Sequence, residues 1–371
     1  MTAYRFLEPL DVLFLRGNKL FGDPGSYGES MVPPWPSVAA GAIRSRMLVD
    51  DKVDLEQFRN NQTVHPVLGT PADPGSFTVT GFHLARRRDG RVESLHPLPA
   101  DLLVTKDDDQ LDIRRLQPQT LAAGIDSAAS LPKLPVLAID QRAKPDGGIW
   151  LTQAGWQACL DGDLPGKEQL VDTGSLWKLD PRVGIGLDPA RSSAEDGKLF
   201  TVQAVAPNEG VGFLVGITGA EPPAGGLLRL GGDGRAAAIS QGEYIPPQAD
   251  LEAIAQAGRC RIILTSPGIF PDGWRPPGTD AEYRFSLRGV AGRLVCAAAP
   301  RAETISGWDL AQWRPKPAQN AAPAGSVFWL EALEATPEAL HKLAETGLWP
   351  DTGYDAQRRA EGFNRFTFAN Y

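Results

Sequence analysis

"PPWPSVAAGAIRSRM", residues 33–47, joins a stiff lead-in to a small-residue helix. Pro33, Pro34 and Pro36 hold the backbone extended. Ser37 is a candidate N-cap, and the helix is expected from about Ser37 to Val49. Val38, Ala39, Ala42, Ile43 and Met47 recur at helical spacing and form an apolar stripe. Gly41 costs about 1 kcal/mol of helix propensity relative to Ala, so a close backbone approach is expected there. Arg44 and Arg46 lie off the stripe, which does not account for them.

Working outward, "YRFLEPLDVLFL", 4–15, reads as a strand whose middle Pro9 demotes to an edge or bulge. A glycine-rich loop, "RGNKLFGDPGSYGES", follows at 16–30. "FTVTGFHLARRRDGRVESLHPL" reads as a hairpin turning at Asp89–Gly90. A short helix is expected at "LTQAGWQACL", 151–160, and loops across 161–198. "LFTVQAVA" and "VGFLVGIT" are strands, and "GGLLRLGGDGRAAAI" is a strand–turn–strand unit. "ADLEAIAQAG" is a helix stopped by Gly258. Strand signal returns at "CRIILTSPGIF", "SLRGVAGRLVCAAA" and "GSVFWLEAL". In "TPEALHKLAETG", Thr336 fits the N-cap, Pro337 the first helical position and Gly347 the stop. Two βαββαβ units with long insertions would produce this order. Periodicity alone supports an α+β fold in two domains, divided somewhere in 161–200.

Composition narrows the function classes. The 371 residues are 42% hydrophobic, enough for sizeable cores. The 37 Lys and Arg face 45 Asp and Glu, a net charge of −8. A freestanding nucleic-acid binder is usually basic, because phosphate neutralisation supplies most of its affinity. A local basic site, or one completed by partners, remains open. The densest basic run, Arg86, Arg87, Arg88 and Arg91, reads first as a charged hairpin tip. Cys159, Cys260 and Cys296 are far apart and suggest neither a zinc site nor a disulfide framework. No apolar run reaches the roughly 18 residues of a membrane span. Glu8 and Asp11 interrupt the N-terminal apolar stretch, which argues against a signal peptide. A cytoplasmic protein without a membrane partner is expected.

Catalytic signatures are sparse. His65, His83, His96 and His341 form no HxH or HExxH pattern, although any could serve as a general base in RNA cleavage. The Asp runs at 50–51 and 107–109 read as solvated turns, because consecutive aspartates point in different directions. "GIG" at 184–186 lacks the third glycine of a dinucleotide fingerprint, and "GGDGR" at 231–235 lacks the GK[ST] of a P-loop. No cofactor or metal is expected.

Six stretches together carry a resemblance: "EPLDVLFLRGNKLFG", "PPWPSVAAGAIRSRM", "RVGIGLDPARSSAEDGKLF", "LLRLGGDGR", "ILTSPGIF" and "SGWDLAQWRPKPAQNAAPAGSVFWL". In this order and spacing they resemble the third-subunit family of the Cmr complex, the type III-B CRISPR–Cas effector, within the repeat-associated mysterious protein (RAMP) superfamily. The resemblance implies two ferredoxin-like RAMP domains, 1–175 with an inserted hairpin and 176–371 with a glycine-rich loop. It also implies a non-catalytic subunit of a ribonucleoprotein. Such a subunit docks on the large polymerase/cyclase-like subunit, holds the 5′ tag of the guide CRISPR RNA and abuts the first copy of the backbone subunit. In guided effectors, base pairing reads sequence while protein reads backbone and shape.

A single-stranded tag calls for cations, backbone donors at glycines and a surface for splayed bases. Under the resemblance, Arg16 and Lys19 flank Gly17 and Asn18, and Arg229 and Arg235 bracket Gly231 and Gly232. The glycines would let the backbone approach a phosphate, or they form a plain hairpin turn. Arg182 and Arg191 lie in a family-like loop that is either an RNA contact or a docking surface, and Arg44 and Arg46 are candidates to face the tag. The Arg86–Arg91 hairpin is a candidate thumb over the guide. Trp308 and Trp313 are expected in a core or interface. The competing readings are a RAMP-type, metal-independent endoribonuclease that processes the guide precursor, and a tryptophan-lined carbohydrate- or ligand-binding protein.

Overall fold

The computed structural model describes residues 1–17, 27–107, 110–122, 124, 127–128, 130–137, 144–188, 190–191 and 193–371. It is α+β, with several antiparallel sheets. The chain divides into two compact units, and neither is one continuous stretch. The first comprises Met1–Val92, Gly174–Glu243 and Thr304–Gln319; the second comprises Glu93–Thr173, Tyr244–Glu303 and Asn320–Tyr371. A single cut between 175 and 176 therefore separates neither unit. The reason is strand pairing over long sequence distances: Phe6 lies opposite both Leu214 and Ser240.

In the first unit, five antiparallel strands lie in the order Thr78–Arg88, Val211–Thr218, Ala3–Pro9, Ala236–Gln241, Gly225–Arg229. Val211–Thr218 is buried along nearly its whole length, as its unbroken apolar run requires. The first strand ends at Pro9, earlier than the apolar run suggests. Beyond it, Leu13 exchanges two backbone hydrogen bonds with Val205, both 2.8 Å.

The helix after the proline lead-in spans Pro36–Asp50 and touches strands Thr78–Arg88 and Gly225–Arg229. Ala39, Ala42, Ile43 and Met47 are buried as the stripe predicts, joined by Ala40 and Leu48. Two local expectations are corrected. Trp35, not Ser37, is the N-cap, and it makes no side-chain cap; Pro36 at the first helical turn needs no donor there. Gly41 faces solvent, and a Cβ built on it meets nothing within 4 Å, so no close approach explains this glycine.

Where loops were expected up to residue 198, a long ribbon forms from Trp177–Asp188 and Ser193–Pro207, its last part being the expected strand at 199–206. Gly184 and Gly186 mislead because each sits beneath a cross-strand side chain. A Cβ on Gly184 would fall 2.3 Å from the Phe200 ring, and one on Gly186 would fall 2.8 Å from Lys198. Leu179, Val183, Ile185 and Leu187 share one face of this ribbon and are exposed.

In the second unit, five antiparallel strands lie in the order Arg284–Leu287, Val290–Ala298, Val327–Glu334, Cys260–Leu264, Phe366–Ala369. Every residue of Cys260–Leu264 is buried because the sheet is covered on both faces. Ile262 and Leu264 pack with Ile254, Leu340 and Leu343 from helices Leu251–Ala257 and Pro337–Thr346. Ile263 points the other way and packs with Trp156, Cys159 and Leu160 of helix Gln153–Asp161. These helices begin and end where their residue types dictate. Thr152, Asp250 and Thr336 accept from backbone N–H groups as caps, and Gly162 and Gly258 adopt left-handed stops. On the Ile263 face, Arg261 is 1% and Asp101 0% exposed, and they form an ion pair at 2.5 Å.

Candidate RNA interface

The fold brings four of the expected RNA-binding residues together in the first unit. Leu13 pairs with Val205, which fixes the path of residues 11–16. The turn Leu230–Arg235 closes beside that segment. The Gly232 N–H donates to the Phe14 carbonyl at 2.8 Å, and Leu230 N–H donates to Arg235 O at 2.8 Å. Gly231 has φ +77°, and a Cβ there would stand 2.9 Å from the Phe14 carbonyl. The glycines thus admit the chain's own backbone.

The two arginines at this turn have carboxylate partners. Arg235 Nη1 donates to Asp11 Oδ2 at 2.7 Å, and its guanidinium lies 5.1 Å from the centre of the Phe14 ring. Arg16 Nη2 donates to Asp233 Oδ1 at 3.3 Å, with both side chains half exposed. Water screens such an exposed pair to at most about 1 kcal/mol, so Asp233 holds Arg16 only weakly. Arg229 is exposed and has no side-chain hydrogen bond or ion pair among the described residues. Lys19 lies outside the described residues.

The other candidates are elsewhere in the unit. Arg46 Nε pairs with Asp50 Oδ1 at 2.7 Å, one helical turn on, and Nη1 donates to the Leu227 carbonyl. Arg44 Nη2 reaches the Leu68 carbonyl at 3.3 Å, and its guanidinium lies 6.0 Å from the Phe77 ring centre. Both arginines tie the helix to neighbouring segments of the unit. On the ribbon, Arg182 pairs with Asp180 at 2.8 Å, and Arg191 stands 3.9 Å from Asp188 while 82% exposed. The expected turn at Asp89–Gly90 forms with both residues at positive φ. Beside it, Arg87 pairs with Glu8 at 3.1 Å, and Arg88 and Arg91 are exposed.

The histidines have structural surroundings. His65 Nδ1 accepts from Leu68 N–H at 3.1 Å, so Nε2 carries the proton and donates to Asp51 Oδ2 at 2.8 Å. Desolvation lowers His83 to about 4. In the second unit, His96 stacks on Trp156 at 4.5 Å with Nε2 2.9 Å from Ser94 Oγ, inside the core. His341 is exposed, 3.6 Å from Glu345. Burial pushes the Cys159 thiol up to about 11 and the Cys296 thiol up to about 12. Among the described residues, no three His, Cys, Asp or Glu groups converge on a point that would hold a metal. No helix among them is long and apolar enough to cross a membrane.

Of the two places expected for Trp308 and Trp313, core or interface, the structure removes the first. Trp308 and Trp313 are 48% and 68% exposed, not core, and Arg59 donates from Nε to the Ala311 carbonyl at 2.7 Å between them. The signal was the two Trp in "SGWDLAQWRPKP", but nothing local shows which way they face.

Comparison with known proteins bears on the whole chain. A family model described as "CRISPR-associated protein (Cas_Cmr3)" matches residues 5–367. No curated protein matches. A solved chain of the "Type III-B Cmr-beta bound to cognate target RNA and AMPPnP" is similar at 13% identity and TM-score 0.51, covering 98% of this chain and 95% of that one. A second, from Cmr-beta bound to cognate target RNA, has 13% identity and TM-score 0.47, covering 98% and 96%. Since the family model spans nearly every residue, including each of the six stretches that carried the resemblance, the chain belongs to the Cas_Cmr3 family of CRISPR-associated proteins.

Proposed function

We propose that this Cmr3-family chain is a non-catalytic subunit of a type III-B guide-RNA effector. In this reading it holds the repeat-derived 5′ tag of the guide and docks on the large polymerase/cyclase-like subunit, beside the first backbone subunit. The observation that carries the reading is the family match over residues 5–367. The strand orders support it. Four strands of each unit, numbered along the chain, lie as 4-1-3-2, the antiparallel order of a ferredoxin-like sheet. The first unit keeps the first helix and has strand Gly225–Arg229 where the second belongs. The second unit keeps the later helix, Pro337–Thr346.

The RNA-binding residues in this reading are Arg16, Lys19, Arg229 and Arg235, grouped around the Gly231–Gly232 turn, with Arg182 and Arg191 on the ribbon. A net charge of −8 leaves the chain unable to supply a whole phosphate-binding surface. Isolated, it binds guide RNA weakly and salt-sensitively; with the large subunit, affinity rises steeply. Co-purification with the partner subunits, followed by sequencing of the bound RNA, tests this. Equal affinity with and without partners would overturn it. The nuclease reading is less well supported, because His65 is spent on a loop and His83 and His96 are desolvated or packed. Incubation of the chain with repeat RNA in the absence of metal separates the two readings: specific cleavage favours the nuclease.

A further inference from the structure

We propose that the hairpin formed by Trp308–Asp309 and Arg314–Pro315 is a base-stacking site for single-stranded RNA. The turn is built to present its side chains. Asp309 Oδ1 accepts from Ala311 N–H at 2.9 Å and Gln312 N–H at 3.0 Å, so one oxygen of this carboxylate fixes the turn. Trp313 sits at φ +53°, a left-handed conformation that is unfavourable for a bulky residue. That backbone holds an indole out in water at 68% exposure, beside Trp308 at 48% and Leu310 at 63%. The two rings meet edge to face, 5.9 Å apart and at 86°, so the exposed surfaces of the indoles lie in two nearly perpendicular planes, with one face of one ring covered by the other's edge.

Charge then selects the ligand. Arg59 is anchored by Nε on the Ala311 carbonyl, and its terminal NH2 groups have no partner among the described residues. Arg314 is exposed, and its side chain likewise has none. Many arginines elsewhere, such as Arg16, Arg46, Arg87, Arg182, Arg235 and Arg284, face carboxylates, whereas Arg229 is unpaired among the described residues like these two but has no exposed indole pair in its hairpin. Two uncompensated guanidiniums beside two open indoles suit an anion that carries flat aromatic faces. Single-stranded nucleic acid is that ligand class. Exposed Trp beside Arg also occurs at protein interfaces, so loss of partner subunits on co-expression separates the two. The choice of RNA over DNA rests on the proposed ribonucleoprotein role; the stacking geometry does not.

The test uses the full chain and short oligouridylate at low salt, followed by tryptophan fluorescence. Saturable quenching is expected. Trp313→Leu and Trp308→Leu should each weaken binding about tenfold at unchanged melting temperature, because both rings are exposed. Arg59→Gln combined with Arg314→Gln should weaken binding and flatten its salt dependence. Absence of saturable quenching, or equal affinity for the parent and Trp313→Leu chains, overturns the proposal. So does loss of partner subunits on co-expression with RNA affinity unchanged, which makes the hairpin a protein contact. In the assembled complex, ultraviolet crosslinking to Trp313 identifies the strand, guide or added target. Failure of guide RNA to co-purify with the parent complex would count against the proposed function while leaving the oligouridylate result standing.

Discussion

The Gly232 amide donates to the Phe14 carbonyl at 2.8 Å, so the glycine turn is closed onto the N-terminal segment of its own unit. Gly231 sits at φ +77° with its Cβ position 2.9 Å from the same carbonyl, whereas Gly234, at φ +65°, has open space around it. Gly231→Ala is expected to destabilise the protein by about 2–3 kcal/mol and Gly234→Ala by about 1 kcal/mol. Urea unfolding of the two variants checks the order. Equal costs would mean that the Phe14 contact does not constrain the turn.

Arg46 bridges Asp50 and the Leu227 carbonyl. Arg46→Glu sets a like charge one turn from Asp50 and removes the carbonyl's donor. A loss of about 1–2 kcal/mol is expected, read from the shift in urea midpoint. A variant as stable as the parent but deficient in guide loading would instead assign Arg46 to RNA.

Gly41 is the opposite case. Its Cβ position is empty and the residue lies within helix Pro36–Asp50. Gly41→Ala should stabilise the protein by about 1 kcal/mol and raise the melting temperature by a few degrees. If the same change weakens assembly, a partner's backbone approaches the helix there.

Asp101 is buried beneath two guanidiniums, Arg261 at 2.5 Å and Arg115 at 3.6 Å. Arg261 is otherwise held by the Asn370 and Cys159 carbonyls at 2.9 and 2.6 Å. Asp101→Ala leaves two cations facing each other without a counter-ion, and a cost of about 3–5 kcal/mol is expected. Denaturant unfolding should show the loss as cooperative, since the pair lies on the sheet that carries the second core.

His83 gives a pH dependence. Its folded value is lowered by desolvation from 6.5 to about 4. The unfolded chain therefore takes up a proton first. The contribution is complete above pH 6.5 and disappears as pH falls towards about 4, up to roughly 3 kcal/mol. His83→Gln should flatten the stability profile in that window and leave it unchanged above pH 7. A profile identical to the parent's would show that His83 is solvated.

Several local elements were legible because their signals are short-range. Thr336 with Pro337 bounded one helix, Gly258 ended another, and Asp89–Gly90 turned the hairpin. Of the ribbon, only its last part, 199–206, was legible as a strand; 177–198 read as loop. Gly184 and Gly186 look like loop residues until Phe200 and Lys198 are seen lying over them. Ser37 failed as a cap because Pro36 already occupies the first helical turn and pushes the boundary to Trp35. The candidate site was legible in part. Arg16, Gly231, Gly232 and Arg235 do converge, but their paired state, and the open Trp308–Trp313 corner, were hidden.

By itself, the sequence determined the α+β class, the ends of helices such as Pro337–Thr346 and the family. Each follows from residue types within a few positions of one another, or from the order of motifs along the chain. Tertiary structure alone decided which arginines are spent on carboxylates, which glycines admit a neighbour and which tryptophans meet water. Arg16 finds Asp233 across 217 residues, and Arg59 finds Ala311 across 252. Such pairings are set by which strands lie side by side. Strand order is a property of the packed core, and no local propensity encodes it.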